Sequence, residues 1–105
     1  MDILPEPISF EWDKGNIDKN FKKYSVTNQE AEEVFSSEPI FLFEDEKHST
    51  STEARSMIWG TTKSGRRLTI IYTVRNNIIR VISARDLNKK ERREYEYKAK
   101  TDSNI

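Results

Sequence analysis

The chain has 105 residues, of which 34% are hydrophobic and 34% charged, and its formal net charge is zero. This length fits one domain with a single core, and the 10% of aromatic residues argue against wholesale disorder. Cysteine is absent and His48 is the only histidine, which excludes a disulfide framework, a thiolate nucleophile and any recognisable metal-ligand spacing. We therefore expect one domain over residues 8–100 that needs no metal and no cofactor, with irregular termini at 1–7 and 101–105.

The zero net charge hides an uneven distribution along the chain. Residues 1–54 hold 13 acids and 5 bases, whereas residues 55–100 hold 4 acids and 13 bases. The basic half predicts a surface that binds a polyanion, although any single charge run is also compatible with a solvated helix face. The sequence has no long apolar run and no signal-peptide pattern, which predicts a cytoplasmic protein without membrane contact.

Hydrophobic periodicity divides the chain into strands and helices. Alternating or short apolar runs predict strands at 8–12, 40–43, 55–61, 67–74 and 78–85. Runs with helical spacing predict helices at 13–23, 28–35 and 88–99. Residues 44–53 are acidic and rich in Ser and Thr, and they predict an exposed, mobile loop that contains His48. The result is an α+β fold, an antiparallel sheet of about four to five strands with two N-terminal helices and one C-terminal helix.

Capping residues mark the predicted helix starts. They are Asp13 for the first helix, Thr27 with Glu30 for the second, and Asn88 with Glu91 for the third. In the first helix, Ile17 and Phe21 are spaced as one apolar side. In the third helix, Leu87, Tyr95 and Ala99 are the candidates for contact with the sheet.

A two-residue turn at Asn76–Asn77 predicts the register of the last two strands. In that register one apolar face holds Leu68, Ile70, Tyr72 and Val74 with Ile79, Val81 and Ser83. The opposite face holds Arg67, Thr69, Ile71 and Thr73 with Arg80, Ile82 and Ala84. We expect helices to cover the apolar face. On the opposite face we expect a cation at each end.

Arginines inside predicted strands carry most of the chemical information. Strand interiors disfavour unpaired guanidinium groups, and a bound phosphate is one reason to place them there. Cleavage of RNA through its own 2′-hydroxyl needs a proton acceptor, a proton donor and positive charge on the phosphorane. The residues therefore fit a metal-independent ribonuclease, but a nucleic-acid-binding surface without catalysis has the same composition.

Several blocks of the sequence, from Phe10 to about Glu96, resemble the BrnT toxins of bacterial type II toxin–antitoxin systems. The blocks are 10–13, 30–35, His48 with 53–55 and Gly60, 80–85, 90–92 and 95–96. The resemblance implies a RelE-like α+β fold and a ribonuclease activity that arrests translation. It also implies neutralisation by a BrnA-type antitoxin. In that case the toxin is bound to operator DNA only through the antitoxin.

The sequence departs from the family pattern at Lys23, Tyr24 and Ser25, where the family usually has Lys-His-Gly. A phenol is a weak base at neutral pH unless cations favour its ionised form. We predict that Tyr24 assists proton transfer, with Glu53 as another candidate base. The other predicted catalytic residues, around the scissile phosphate, are Lys23, Arg67, Arg80 and Arg85. The predicted substrate-binding residues are Arg55, Lys89, Lys90 and Arg93.

Each of these assignments has a structural alternative. Arg80 can be the cross-strand partner of Thr73, and Arg85 can pair with a nearby acid. Glu53 and Arg55 can form a structural ion pair. Three aromatic residues are predicted to serve packing, namely Trp12 and Trp59 in the core and Tyr95 between helix and sheet. The alternative function is a non-catalytic nucleic-acid- or protein-binding module, such as an inactive toxin homologue that retains antitoxin binding.

Overall fold

The computed structural model describes residues 4–47 and 49–102, which form an antiparallel sheet of four strands and three helices. The helices are α1 (Lys19–Tyr24), α2 (Asn28–Val34) and α3 (Lys89–Asp102). The strands, which neighbour one another in chain order, are β1 (Phe41–Glu44), β2 (Ser56–Thr61), β3 (Arg67–Arg75) and β4 (Ile78–Asp86). The predicted α+β class is confirmed. Within the described ranges, no helix has both the length and the apolar character to span a membrane.

Reciprocal capping bonds begin α2 and α3 where the sequence predicts them. The Glu30 N–H donates to Thr27 Oγ1 over 3.0 Å, and the Thr27 N–H donates to Glu30 Oε1 over 2.9 Å. Asn88 and Glu91 form the same pair of bonds, 2.8 and 2.9 Å long. Both helix starts follow from local chemistry, because each side chain satisfies a backbone amide that the helix leaves unpaired.

The prediction for α1 was wrong in its start and in its buried side. The helix begins at Lys19, six residues after the predicted cap at Asp13. Ile17 and Phe21 are 42% and 58% exposed, and it is the polar Asn20 that is buried. The reason lies in what α1 covers, which is the edge of β4 and not an apolar face.

Side chains from α1 and the turn before it bind the backbone of β4. Asn16 Nδ2 donates to the Val81 carbonyl over 3.1 Å, and Lys19 Nζ donates to the Ile82 carbonyl over 3.2 Å. The Ala84 N–H in turn donates to Asn20 Oδ1 over 3.0 Å. A strand edge needs hydrogen-bond partners, so polar residues are buried here where amphipathic periodicity predicts apolar ones.

The predicted strand at 8–12 is reduced to one parallel bridge between Phe10 and Ile79. The Glu11 N–H donates to the Ile79 carbonyl, and the Ile79 N–H donates to the Ser9 carbonyl, each over 2.9 Å. This short pairing continues the protection of the β4 edge that α1 provides.

The β3–β4 hairpin has the predicted turn but not the whole predicted register. Asn76 and Asn77 both take positive φ, 51° and 63°, as the two-residue turn requires. The register then shifts between Ile71 and Tyr72, because Ile82 is an extra residue on β4. Beyond this bulge the alternation of β4 is inverted.

The inversion corrects the predicted faces. Ala84 pairs with Ile70 on the apolar face, where the sequence predicted Ser83. Arg85 pairs with Thr69 and so lies on the same face as Arg67 and Arg80, because directly opposed residues share a face. The bulge is therefore what places the three arginines on one side of the sheet.

Both faces of the sheet carry buried apolar residues. One face packs against Val26, Ala31, Val34 and Phe35 from α2 and its flanks. The other holds Trp59, Leu87 and Tyr95, with Phe41, Phe43, Met57 and Ala99 at the margin. The predicted packing of Trp59 and Tyr95 is confirmed, whereas Trp12 is only half-buried and donates its Nε1–H to Glu32 over 2.7 Å.

Candidate functional site

The C-terminal end of α1 fixes the main chain of Tyr24. The Ser25 N–H donates to the Phe21 carbonyl over 2.9 Å, and the Val26 N–H donates to the Asn20 carbonyl over 3.3 Å. Ser25 is left-handed, with φ 57° and ψ 35°. Glycine is usual at such a helix end, and a residue with a Cβ pays about 1–2 kcal/mol for this conformation.

Two predicted catalytic residues, Lys23 and Tyr24, are in contact at this helix end, and a third, Arg85, lies within electrostatic range of Tyr24. Lys23 Nζ lies 5.3 Å from the centroid of the Tyr24 ring. The pKa of Arg85 is raised above its ordinary value, chiefly by a hydrogen bond to Glu91 and against the opposing effect of burial, with a further contribution from Tyr24. An ammonium, a phenol and a guanidinium therefore share one electrostatic environment.

Arg85 pairs with Glu91 but keeps one edge of its guanidinium open. Nη1 and Nη2 donate to the two Glu91 oxygens over 2.8 and 3.2 Å, and Nη1 also donates to the Asp86 carbonyl over 3.1 Å. The Nε–H and the second N–H of Nη2 have no acceptor among the described residues, and the side chain is 33% exposed. This open edge is a fork that can bind two oxygens of one phosphate.

Arg67 extends the same cationic surface. It lies two residues from Thr69, the partner of Arg85, so the two arginines are diagonal neighbours on one face of the sheet. Arg67 stacks its guanidinium 4.8 Å from the centre of the Tyr95 ring and donates from Nη1 to Glu96 over 3.2 Å. Its side chain is 40% exposed, so it can contact a ligand from solvent.

Arg80 lies apart from this group. It precedes Arg85 by five residues along β4 and pairs across the hairpin with Thr73, the alternative that the sequence left open. Its two terminal nitrogens donate to both oxygens of Asp13 over 2.7 and 2.9 Å, and Nη1 also donates to Glu11 over 3.2 Å. The side chain is 13% exposed, and it secures the segment that bridges to β4.

Glu53 and Arg55 form an ion pair at the opposite end of the sheet. Arg55 Nε donates to Glu53 Oε1 over 3.1 Å, and Arg75 donates from Nε and Nη2 to Glu53 Oε2. Hydrogen bonds from Arg75 first and Arg55 second lower the pKa of Glu53 below its usual value. Arg67 and Arg75 are the first and last residues of β3, roughly 26 Å apart at about 3.3 Å per residue. The structure thus does not bring Glu53 to Tyr24.

The predicted substrate-binding residues of α3 are exposed. Lys89, Lys90 and Arg93 form no ion pair within the described part of the chain. Glu91 and Glu96 are instead paired with arginines of the sheet. Arginines of the sheet thus partly neutralise the acids of α3, while these three bases stay exposed to solvent.

The remaining predictions concern metal ligands and His48. In residues 4–47 and 49–102, no three histidine or acidic side chains cluster as metal ligands would. His48 lies outside the described residues, so its predicted place in the exposed loop stays a prediction.

Comparison with protein families matches residues 12–91 to the family described as ribonuclease toxin, BrnT, of type II toxin–antitoxin systems. The chain belongs to the BrnT family. No curated protein matches the sequence. Membership places the chain in a family of ribonuclease toxins, which implies an RNA substrate and an antitoxin partner, and it confirms the resemblance to this family.

The BrnT match contains the cluster at the end of α1. Lys23, Tyr24, Arg85 and Glu91 all lie within residues 12–91. Tyr24 and Ser25, where this chain differs from the usual His-Gly of BrnT toxins, are adjacent and lie at the strained helix end. The tyrosine changes the side chain that is available for proton transfer, and the serine changes the backbone geometry that positions it. The two differences therefore act on the same turn.

Sequence reasoning missed Arg66, the residue that binds this helix end in the BrnT fold. It donates to the carbonyls of Tyr24 and Ser25 over 3.0 and 2.8 Å. It also donates to both oxygens of Asp86 over 2.7 and 3.0 Å and approaches Glu30 at 3.4 Å. The Asp86 hydrogen bond is the main cause that raises the pKa of Arg66. No local pattern signals this role, because all four partners are distant in sequence.

Proposed function

We propose that this BrnT-family protein is an endoribonuclease that cleaves RNA without a metal ion, at a site formed by Lys23, Tyr24, Arg67 and Arg85. The observation that carries the proposal is the Lys23 ammonium over the Tyr24 ring at the end of α1, together with the half-open Arg85 guanidinium on the neighbouring strand β4. Membership of a ribonuclease toxin family supports the reaction class.

The proposed reaction uses the RNA's own 2′-hydroxyl as nucleophile. The 2′-oxygen loses its proton to solvent and attacks the adjacent phosphorus, which forms a phosphorane, and the bond to the 5′-oxygen then breaks. The free edge of Arg85 binds two phosphoryl oxygens as their negative charge grows, and Lys23 adds a second positive charge. The Tyr24 phenol donates a proton to the departing 5′-oxygen and recovers it from water. The products are a 2′,3′-cyclic phosphate and a 5′-hydroxyl.

The flanking nucleotides have a separate set of contacts in this proposal. Lys89, Lys90 and Arg93 are exposed in the first turns of α3, the helix whose Glu91 binds Arg85, and they suit backbone phosphates on either side of the cleaved bond. Arg80 and the pair of Glu53 and Arg55 lie elsewhere, so we assign them to holding the chain segments to which they are bound.

A BrnA-type antitoxin is the proposed partner that neutralises the protein. The exposed bases of α3 and Arg67 form a surface that acidic or apolar segments of such a partner can cover. Operator DNA is then contacted through the antitoxin's own DNA-binding part. We also place the protein in the cytoplasm, where its RNA substrate and its partner are made.

A second candidate function is a non-catalytic toxin homologue that keeps antitoxin binding. Two observations favour it: a phenol stands where the family usually has an imidazole, and Arg67, Arg80 and Arg85 each already have a carboxylate partner. In this case the cationic surface binds a partner but performs no chemistry.

RNA cleavage by purified protein in excess chelator separates the two functions. We expect the wild-type protein to yield fragments with 2′,3′-cyclic phosphate ends, and Arg85→Ala to lose about 100-fold or more in rate, as removal of a donor to a transition-state oxyanion does. Lys63→Ala is the matched control, because it removes an exposed cation that lies outside the site. Folded wild-type protein that leaves RNA intact overturns the nuclease and leaves the binding module.

A further inference from the structure

We infer that Arg66 is a positioning residue that holds the main chain of Tyr24 at the proposed site. The inference rests on the proposed function, and its evidence is the set of bonds that Arg66 makes. Two of them go to the carbonyls of Tyr24, the last residue of α1, and of Ser25, the residue that caps it. None goes to the phenol, so Arg66 acts on the backbone of Tyr24 and not on its hydroxyl.

All five N–H groups of the Arg66 guanidinium are used. Nε and one N–H of Nη2 bind the Asp86 carboxylate, and the other N–H of Nη2 binds the Tyr24 carbonyl. Nη1 binds the Ser25 carbonyl and lies within 3.5 Å of both Glu30 oxygens. Only arginine has a planar fork of five donors, so lysine retains the charge but not this set of bonds.

The other ends of these bonds belong to fixed elements. Asp86 is the last residue of β4, and it follows directly on Arg85. Glu30 is part of the capping box that begins α2. Arg66 therefore ties the end of α1 to the strand end that carries Arg85 and to the start of α2, and this sets where Tyr24 lies relative to Arg85.

The strain at Ser25 explains why such a tie is needed. Ser25 takes the left-handed conformation, φ 57°, that glycine adopts freely and serine does not. Without the bonds from Arg66, Ser25 favours ordinary negative φ, and the last turn of α1 then unwinds. A chain with glycine at this position depends less on the arginine. The prediction is a coupling between positions 25 and 66 that is visible in the rate of RNA cleavage.

Four variants test this coupling through steady-state RNA cleavage. We expect Arg66→Gln to lower kcat about 10-fold or more with little change in KM, because the RNA-binding cations remain, and Arg66→Lys to recover only part of the rate. Adding Ser25→Gly to Arg66→Gln restores most of kcat. Lys63→Ala, in the same turn and with the same charge, leaves the rate unchanged. All rates are compared at a temperature where circular dichroism shows each variant to be folded.

Hydrogen exchange of the Ser25 and Val26 amides tests the positioning without reference to activity. We expect Arg66→Gln to speed their exchange at least 10-fold and Ser25→Gly to reverse the change, while core amides such as Ile70 stay protected. Unchanged exchange at these amides overturns the inference, and so does an unchanged kcat in a variant whose exchange is faster. If the wild-type protein cleaves no RNA, the proposed function fails, but exchange still decides whether Arg66 holds this turn.

Discussion

Arg85 and Glu91 join the end of β4 to the first turn of α3 through two parallel hydrogen bonds, 2.8 and 3.2 Å long. The same carboxylate accepts the Asn88 N–H and so completes the capping box of the helix. The Glu91 side chain thus both caps the start of α3 and orients the Arg85 guanidinium. The bulge at Ile82 is what brings Arg85 to this face of the sheet. The open edge of Arg85 is consequently set by the packing of secondary structure and not by a flexible loop.

Glu91→Gln should reduce stability in a pH-dependent way. Burial alone raises the pKa of Glu91, but hydrogen bonds from Arg85 and from the Asn88 N–H outweigh it, so the folded pKa lies below the usual 4.5. The stabilisation from this carboxylate is complete above the unfolded pKa and is lost as pH falls through the folded one. Urea unfolding should show a deficit of about 1–2 kcal/mol at pH 7 that shrinks below pH 4.5.

Glu94→Gln is the control for this measurement. Glu94 is exposed on the same helix and forms no ion pair within the described ranges. Its free energy of unfolding should match the wild type within about 0.5 kcal/mol at every pH. A Glu91 deficit that persists unchanged at pH 3 would show that the lost bonds do not involve the carboxylate charge.

Replacing Tyr24 tests whether this chain has adapted its proton transfer to a phenol. Tyr24→Phe keeps the ring beside Lys23 but removes the hydroxyl, so RNA cleavage should slow by about 100-fold, the lower end for general acid–base groups. Tyr24→His introduces the usual family residue and should retain measurable cleavage. Single-turnover rates on one RNA, with folding checked by thermal unfolding, give both values. Wild-type rates in Tyr24→Phe remove the tyrosine from the reaction.

The parts of the fold that were predicted correctly depend on residues close in sequence. The capping pairs of α2 and α3 each span three residues, and the Asn76–Asn77 turn spans two. In such cases the side chain and the backbone group that it satisfies are fixed by spacing alone. For the same reason the BrnT motifs could be read directly from the sequence.

The parts that failed depend on partners distant in sequence. The bulge at Ile82 changes which face Arg85 occupies, and nothing in the alternation of β4 signals it. Asn16 and Asn20 are buried because they meet the edge of β4 more than 60 residues later. Arg66 has no partner closer than 20 residues among its side-chain bonds. Charge and periodicity identify the cationic residues, but only tertiary contacts decide which of them meet.

Asn20→Ala should destabilise the protein, because Asn20 is 2% exposed and its Oδ1 accepts the Ala84 N–H just beyond the bulge. A buried amide left without an acceptor costs about 1–3 kcal/mol, which urea unfolding measures directly. Lys22→Ala, an exposed change on the same helix, should cost less than about 0.5 kcal/mol. Equal losses for the two variants would show that α1 does not hold β4 through Asn20.

RNA binding should weaken steeply with salt, because the proposed contacts are to phosphates. Each phosphate contact on a single strand contributes about −0.7 to the slope of log affinity against log salt concentration. Removing Lys89, Lys90 and Arg93 together, on the exposed side of α3, should therefore make the slope shallower by up to about 2. Fluorescence anisotropy with a labelled RNA, using Tyr24→Phe as background so that cleavage is slow during the measurement, measures both slopes. If these three cations touch phosphates, their removal must reduce the number of counterions released on binding. Identical slopes would therefore place the RNA on another surface.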